Sequence, residues 1–371
     1  MTIKELAYST QQHLKASTGA DFKRAHIYEL LAASFGFNSY AALGAEAVFT
    51  DLPPCTRPSD RYREQVQSRC IEIGYQPEVA KVVASTFPAF LLEREIGVIK
   101  ILDLIAYLRL ESGQQIWDGN EASEGDNDQD EWTTGSEIRE SAILIDGLST
   151  VASKGSALAH YALALIHAPI EEDEGQEVGS EYWYSQAQEG RVLSGVEKEW
   201  ADAYSAHLAR VEKYSRHLQE AARLGQQDAL LDLADRFDDP AFFELADTQV
   251  NADPILVAEI AERLGRPNDA RKWLTAAAEK GDTNAMRQLI DDYDHGDLQK
   301  SWTWIYLAEL FGEDMTKDEH YAIHEDGSPY DDDVGGNAFV GGRDGVHIDP
   351  LGAEQAAIAR RTAQEIFQRI E

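Results

Sequence analysis

Cysteine is scarce in this sequence: only Cys55 and Cys70 occur among its 371 residues. Two cysteines cannot build a disulfide framework, and no Cys-x-x-Cys spacing is present for zinc or redox chemistry. Residues 1–8 also lack the apolar run of a secretory signal. We therefore expect a protein of the reducing cytoplasm.

Long hydrophobic runs are missing as well. The most apolar stretch, Gly97 to Leu110, is too short to span a bilayer and carries the charges of Lys100 and Asp103. Hydrophobic residues nevertheless make up 43% of the chain, and seven tryptophans and fifteen tyrosines are among the aromatic residues. That content is enough for a packed core and argues against disorder. The sequence thus predicts a folded protein that does not bind membranes.

Positive charge is in short supply. Lys and Arg number 33 against 67 Asp and Glu, which gives a formal net charge of -34. Such an excess repels phosphate backbones and anionic lipids, so direct binding to nucleic acid is not expected. Three interpretations remain: charge that serves solubility, a surface for a basic protein partner, or a mimic of nucleic acid.

Catalytic motifs are also absent. The sequence has no Gly-x-Ser-x-Gly elbow that would present a nucleophile. The glycines between residues 335 and 345 are not followed by Gly-Lys-Ser/Thr, and the neighbouring aspartates would repel a phosphate. We therefore predict that the protein is not an enzyme and uses no cofactor.

Two patterns have the spacing of metal ligands. Residues 126–137 match the positions of a calcium loop, but Glu131 replaces the turn glycine, so we interpret them as a solvated loop. His320 and His324 are one helical turn apart, but Tyr321 stands where a zinc protease has Glu. We interpret them as a surface pair near the end of a short helix, and we expect no metal site.

The chain divides into segments of different composition. The predicted segments are a small helical N-terminal unit (1–50), a helical segment (56–111), an acidic mobile loop (112–136), a repeat region (137–312) and a tail (313–371). In the tail we expect residues 337–340 and 346–348 to form extended segments or a small hairpin, followed by a final helix from Ala353 to Ile370.

Regularly spaced glycines give the strongest signal. Gly155, Gly190 and Gly225 are 35 residues apart, Gly281 and Gly312 are 31 apart, and the gap of 56 between Gly225 and Gly281 leaves room for two shortened units. Periods in the thirties are typical of stacked helix pairs. Each glycine is predicted to supply the left-handed backbone angle that ends a helix.

The residues around these glycines also agree. Aromatic or His side chains stand eight residues before four of them, and alanines stand four before or four after: Tyr182, His217, Trp273, Trp304, Ala221, Ala277, Ala308, Ala159, Ala229 and Ala285. A spacing of four places these residues on one helical face. We therefore expect close helix contacts at the alanines, Ala277 among them.

Tyr182 to Gly190 and Trp273 to Ala285 resemble the Sel1-like repeat, a family related to TPR repeats, in which an aromatic pair precedes Ala-Ala-x-x-Gly and then the Ala of the next helix. The resemblance covers residues 150–312. It implies an all-α fold, an α-solenoid of stacked helix pairs, used as a protein-interaction scaffold in bacterial cells. The N-terminal unit would precede the array, and the tail would close it.

A scaffold of this kind presents polar side chains on its concave face. We select residues that flank the predicted core positions Leu233, Phe237, Leu289 and Tyr293. The candidate partner-binding residues are Asp235, Arg236, Arg287, Asp291 and Asp292.

The N-terminal unit leaves other functions open. Ala32-x-x-x-Gly36 is similar to the turn of a helix-turn-helix, but residues 39–47 contain no side chain suited to reading bases. We favour a docking or capping module there. The alternatives to a scaffold are a nucleic-acid-related role and an immunity or phage-defence partner. The first would work by DNA mimicry or by docking on a nucleoprotein complex through this unit.

Overall fold

The computed structural model is mainly helical, with 68% of the chain in helices and two small sheets, which confirms the predicted class. The structure describes residues 1–53, 55–111, 135–169, 177–245, 250, 252–324, 328, 330 and 337–370. The predicted acidic loop 112–136 and the calcium-like spacing 126–137 lie outside these residues, except for their last positions. No described helix has both the length and the apolar character needed to cross a membrane.

The chain forms two compact units. Unit 1 contains residues 1–242 and 246–251, and unit 2 contains residues 243–245 and 252–371. A turn of 3-10 helix, Pro240–Glu244, lies where the chain passes between them.

Unit 1 begins with helices around a two-stranded sheet. Its first elements are α1 (Ile3–Thr18), α2 (Arg24–Ala33), α3 (Tyr40–Glu46), β1 (Ala47–Thr50), a 3-10 turn (Asp60–Tyr62), α4 (Arg63–Glu72), α5 (Pro77–Glu93) and β2 (Gly97–Lys100). Thr2 and Glu5 form a reciprocal capping box that starts α1. The strands are antiparallel, with Ala47 opposite Lys100 and Thr50 opposite Gly97.

One hydrophobic core joins these elements. Leu6 and Leu30 from the first 50 residues are buried together with Phe87 and Leu91 of α5. The boundary predicted after residue 50 therefore falls inside a single core. The reason is that β1 satisfies its backbone by pairing with β2, which lies beyond the proline-rich joint.

A second set of helices completes unit 1. They are α6 (Ile101–Glu111), α7 (Gly135–Glu140), α8 (Ala142–Ala152), α9 (Ala157–His167), α10 (Glu177–Gln188), α11 (Val196–Arg223) and α12 (Gln227–Phe237). Their core includes Leu104, Leu148, Tyr161, Leu218 and Leu233. Helix α9 packs against α6, α8 and α11, and α11 also packs against α10 and α12.

The aligned glycines end helices as predicted. Gly155, Gly190, Gly225, Gly281 and Gly312 all have φ between 89° and 102°. After four of them the next backbone N–H donates to the carbonyl five residues earlier, as in Gln226 to Ala221 at 3.0 Å. This is a Schellman motif, in which a left-handed residue lets the chain satisfy the last carbonyls of the helix.

The segment between Gly190 and Gly225 differs from the predicted helix pair. Residues 196–223 form one helix of 28 residues. This stretch contains neither Gly nor Pro, so nothing in it interrupts helical hydrogen bonding. The regular glycine spacing thus does not correspond to a regular helix count here.

Unit 2 contains the remaining helices and the second sheet. Its elements are α13 (Pro254–Arg263), α14 (Pro267–Ala278), α15 (Thr283–Gln288), a π-helical turn (Leu289–Tyr293), α16 (Leu298–Leu310), β3 (Glu319–Ile323), β4 (Phe339–Arg343) and α17 (Ala353–Ile370). The core of unit 2 includes Leu274, Met286, Ile305 and, from α17, Ala363. Ala277 is 3% exposed, so its predicted burial is confirmed.

The tail corrects two expectations. His320 is in strand β3, with His324 directly after it, rather than in a helix, because residues 319–323 pair with 339–343. Four strand residues separate the imidazoles by roughly 13 Å along the chain, which is too far for one ion. In the hairpin, Phe339 is paired with Ile323. Val346 lies outside the hairpin, and its backbone N–H donates a hydrogen bond to the Met315 carbonyl.

Candidate interaction surface

Helix α11 has two halves with different surroundings. Its C-terminal half buries Tyr214, Leu218 and Ala221 against the core of unit 1. Its N-terminal half buries only Ala201 and packs along α10. Helices α10 and α11 thus form a hairpin that is joined by residues 189–195 and has little core of its own.

Large apolar side chains are exposed on this hairpin. Val192 is 95% exposed, Tyr182 55% and Trp200 47%, and Val196 is also exposed. We call Tyr182, Val192, Val196 and Trp200 the hairpin surface. Exposed Trp and Tyr side chains are enriched in protein-binding sites, where these residue types dominate the binding energy.

Ring contacts hold the aromatic side chains of the hairpin in place. The Tyr182 and Trp183 rings meet edge to face with centroids 5.0 Å apart, and Tyr184 lies 5.3 Å from Tyr204 of α11. The Arg191 guanidinium lies 4.8 Å from the Trp183 ring centroid and pairs with Glu197 at 3.4 Å. Because these rings are ordered before binding, less side-chain entropy is lost when a partner docks.

Negative charge surrounds the hairpin surface. Between residues 178 and 202 the acidic residues are Glu181, Glu189, Glu197, Glu199 and Asp202, and the basic ones are Arg191 and Lys198. The acidic residues outnumber the basic ones, and Arg191 is paired with Glu197, so the local net charge is negative. The surface therefore complements a partner that is both basic and apolar.

The predicted residues of unit 1 lie at the end of another helix. Asp235 and Arg236 are on α12 and form an ion pair with 3.9 Å between Nε and Oδ2, and both side chains are partly accessible. A long ion pair at the surface contributes little to stability.

The other three predicted residues are in unit 2 and differ in their roles. Arg287 donates hydrogen bonds to the backbone carbonyls of Asp344 at 2.9 Å and Met315 at 3.4 Å. It therefore holds the tail against α15. Asp291 and Asp292 are exposed on the π-helical turn, and neither forms an ion pair with any described residue. The structure brings these three residues to one region of unit 2.

A buried polar network fixes α12, which carries Asp235 and Arg236. Tyr161 donates a 2.9 Å hydrogen bond to Asp232, and Arg109 pairs with Asp228 at 2.9 Å. Burial raises the pKa of Asp232 to about 6, although the Tyr161 hydrogen bond and the Arg109 charge act in the opposite direction. The network links α6, α9 and α12. Because its groups are largely buried, a group that lost its partner in the network would not be fully solvated by water instead.

Histidines lie where α9 meets α11. The Nδ1 atoms of His160 and His217 are 3.0 Å apart, and the rings of His167 and His217 are stacked at 6.2 Å. Burial lowers the pKa of His167 and of His217 to about 4, and nearby cationic groups contribute to both shifts. These two imidazoles are therefore neutral at pH 7. Among the described residues no group of three or more His, Cys, Asp or Glu side chains is arranged to hold a metal ion.

The sequence pattern did not identify the hairpin surface. The glycine alignment places Tyr182 on one helical face with the alanines, but Tyr182 is exposed because α10 packs along α11 alone among the larger helix contacts. One feature of the sequence could have predicted the long helix α11. Residues 196–223 contain no Gly or Pro, so a turn between two helices is not expected there.

No family model matches this chain, and neither a curated protein nor a solved structure matches it. The function is therefore argued from the described residues.

Proposed function

We propose that this chain is a non-enzymatic protein-interaction scaffold of the bacterial cytoplasm and that it binds a basic protein partner through the hairpin surface. The observation that supports this most directly is the exposure of Tyr182, Val192 and Trp200 amid carboxylates. Exposed aromatic side chains in such a setting fit an interface with a hydrophobic centre and a charged rim.

We also propose that the helices belong to a Sel1-like solenoid. The left-handed glycines and the buried alanines Ala221, Ala277 and Ala308 before three of them support this proposal. So does the burial of Ala159, Ala229 and Ala285 after the glycines. In this arrangement α11 replaces a helix pair with one long helix and leaves the face of α10 available for a partner.

The acidic rim determines the kind of partner. A basic amphipathic helix would place its apolar residues on Tyr182, Val196 and Trp200, and its lysines beside Glu197, Glu199 and Asp202. Apolar contact then supplies affinity, while the charges speed the encounter and select the partner.

A labelled peptide tests this proposal. The probe is a synthetic amphipathic helix of leucine and lysine, compared with a scrambled peptide of the same composition, and binding is measured by fluorescence anisotropy at physiological salt. We expect the amphipathic peptide to bind the full chain more tightly than the scrambled one. The double variant Tyr182→Ala/Trp200→Ala should weaken it by about tenfold or more, since hot-spot aromatics each contribute about 1–2 kcal/mol or more.

The matched control is Tyr8→Ala, because Tyr8 of α1 is 61% exposed in the same unit but lies outside the hairpin surface. It should bind like the unsubstituted chain. Equal affinity for the scrambled peptide, or no loss in the double variant, would show that the hairpin surface is not the binding site.

A further inference from the structure

Unit 1 contains a cleft that the scaffold function does not use. It has a volume of about 590 Å³, within the range of about 300–1,000 Å³ that small-molecule sites occupy. Its lining residues are Phe35, Phe37, Ala47, Cys55, Thr56, Tyr62, Val98, Ile99, Lys100 and Asp103. They come from the segment after α2, from β1 and β2, from the start of α6 and from the joint between α3 and α4.

Three aromatic side chains form an apolar part of the cleft. Phe35 is buried and meets Phe49 edge to face with ring centroids 5.8 Å apart. The Tyr62 ring lies directly on Gly36, where a Cβ atom would be only 2.5 Å from the ring. Phe37 is the third ring. Gly36 lacks a side chain and so lets the Tyr62 ring occupy this position. The aromatic wall is therefore present without a ligand.

Two side chains of opposite charge are among the lining residues of the cleft. Lys100 ends β2, and Asp103 lies in the first turn of α6; both are exposed. Within the described part of the chain neither of them forms an ion pair at 4.0 Å or less. One cationic and one anionic side chain that are not paired with each other thus both line the aromatic cleft.

We propose that this cleft binds a free aromatic amino acid. The ring of the ligand packs among Phe35, Phe37 and Tyr62. Its carboxylate pairs with Lys100, and its ammonium group pairs with Asp103.

The charges of the cleft favour this class over its simpler relatives. An aromatic carboxylate would leave Asp103 beside its negative charge, and an aromatic amine would leave Lys100 beside its positive one. A zwitterion satisfies both groups and has no net charge, so the overall charge of -34 neither attracts nor repels it. The aromatic wall adds stacking and edge-to-face contacts with the ligand ring.

Cys55 provides the readout, because its thiol lies in the lining and Cys70 is fully buried elsewhere in the core. Burial raises the pKa of both thiols, so alkylation by iodoacetamide is slow enough to follow by mass spectrometry. We expect L-phenylalanine at millimolar concentration to slow modification of Cys55 at least threefold. Cys70 should remain unmodified with or without the ligand and so serves as an internal control for unfolding.

Two analogues separate the contributions of the charges. 2-Phenylethylamine lacks the carboxylate and 3-phenylpropionate lacks the amine, so each should protect Cys55 less than phenylalanine does. Lys100→Met and Asp103→Asn should each lower the affinity for phenylalanine, measured by calorimetry, at least fivefold. Lys81→Met, on the exposed side of α5, is the control and should bind normally.

Two results would overturn the proposal: no protection of Cys55 by phenylalanine, or equal protection by the two analogues and the amino acid. Both substituted side chains are exposed, so the variants should keep the thermal transition of the unsubstituted chain, which circular dichroism checks. The outcome does not depend on the peptide experiment on the hairpin surface.

Discussion

Asp232 shows how burial changes the chemistry of a single residue. Its side chain accepts the hydrogen bond of Tyr161, and only 4% of the residue is exposed. Burial raises its pKa in the folded state to about 6, whereas the value in an unfolded chain is about 3.9. The folded protein therefore holds this proton more tightly than the unfolded one. The associated stability is fully present below about pH 4 and is lost as the pH rises through about 6.

Asp232→Asn tests this pH dependence. Asparagine keeps the shape and an oxygen acceptor for Tyr161 but carries no charge. We compare the free energy of unfolding of the variant with that of the unsubstituted chain. This difference should shift in favour of the variant by on the order of 1–3 kcal/mol as the pH rises from about 4 to about 8. Urea unfolding at the two pH values measures the difference.

The control is Asp235→Asn on the same helix, whose side chain is 29% exposed. It measures how the loss of a more accessible carboxylate from α12 changes the stability at the two pH values. If Asp232→Asn shows no greater dependence on pH than this control, folding does not raise the pKa of Asp232 and the interpretation is wrong.

At the scale of elements, the aligned alanines have unequal surroundings. Ala278 and Ala187 both stand three residues before an aligned glycine, Gly281 and Gly190 respectively. Ala278 is fully buried against neighbouring helices, whereas Ala187 is exposed on α10. The same position relative to a helix-ending glycine thus serves packing in one helix and faces solvent in the other.

Tryptophan at these two positions distinguishes the surroundings. Ala278→Trp should overpack the core of unit 2 and cost about 1–3 kcal/mol or more of stability. Ala187→Trp should change the stability by less than about 0.5 kcal/mol, as is usual at exposed sites. Thermal unfolding followed by circular dichroism compares them, and equal effects would mean that α10 is packed more closely than described.

Local features of these elements could be predicted from the sequence, and distant ones could not. The glycine ends and the burial of Ala277 follow from residues within one helical turn. The pairing of Ala47 with Lys100 depends on contact across some fifty residues, and no local pattern reports it. The hairpin surface escaped prediction for the same reason, because the exposure of Tyr182 depends on which helices pack against α10.

For the whole molecule, the dominant property is its charge. A net charge of -34 gives long-range attraction for cationic partners and repulsion for anionic ones. At physiological ionic strength this influence reaches only about 8 Å beyond a charged group. Charge should therefore affect how fast a basic partner arrives more than how long it stays.

The leucine and lysine peptide measures this effect. Its association rate constant, followed by stopped-flow fluorescence, should fall steeply as salt rises, while its dissociation rate constant changes less. Duplex DNA should not bind in a gel-shift titration. Tight, salt-sensitive DNA binding would contradict both the charge argument and the scaffold function. An association rate constant that does not change with salt would indicate that the peptide contacts only apolar residues.

The pairing of β1 with β2 has a consequence for how the protein is made. Strand β1 ends at Thr50, but its partner is not complete until Lys100 has been added. At about 5–20 residues per second, a ribosome needs roughly 3–10 s to make the intervening fifty residues. During that time the backbone of β1 has no partner strand, and Val48 and Phe49, both buried in the finished protein, lack the later residues of their cores. The N-terminal helices therefore cannot complete their core during early synthesis, because part of that core comes from α5 and β2.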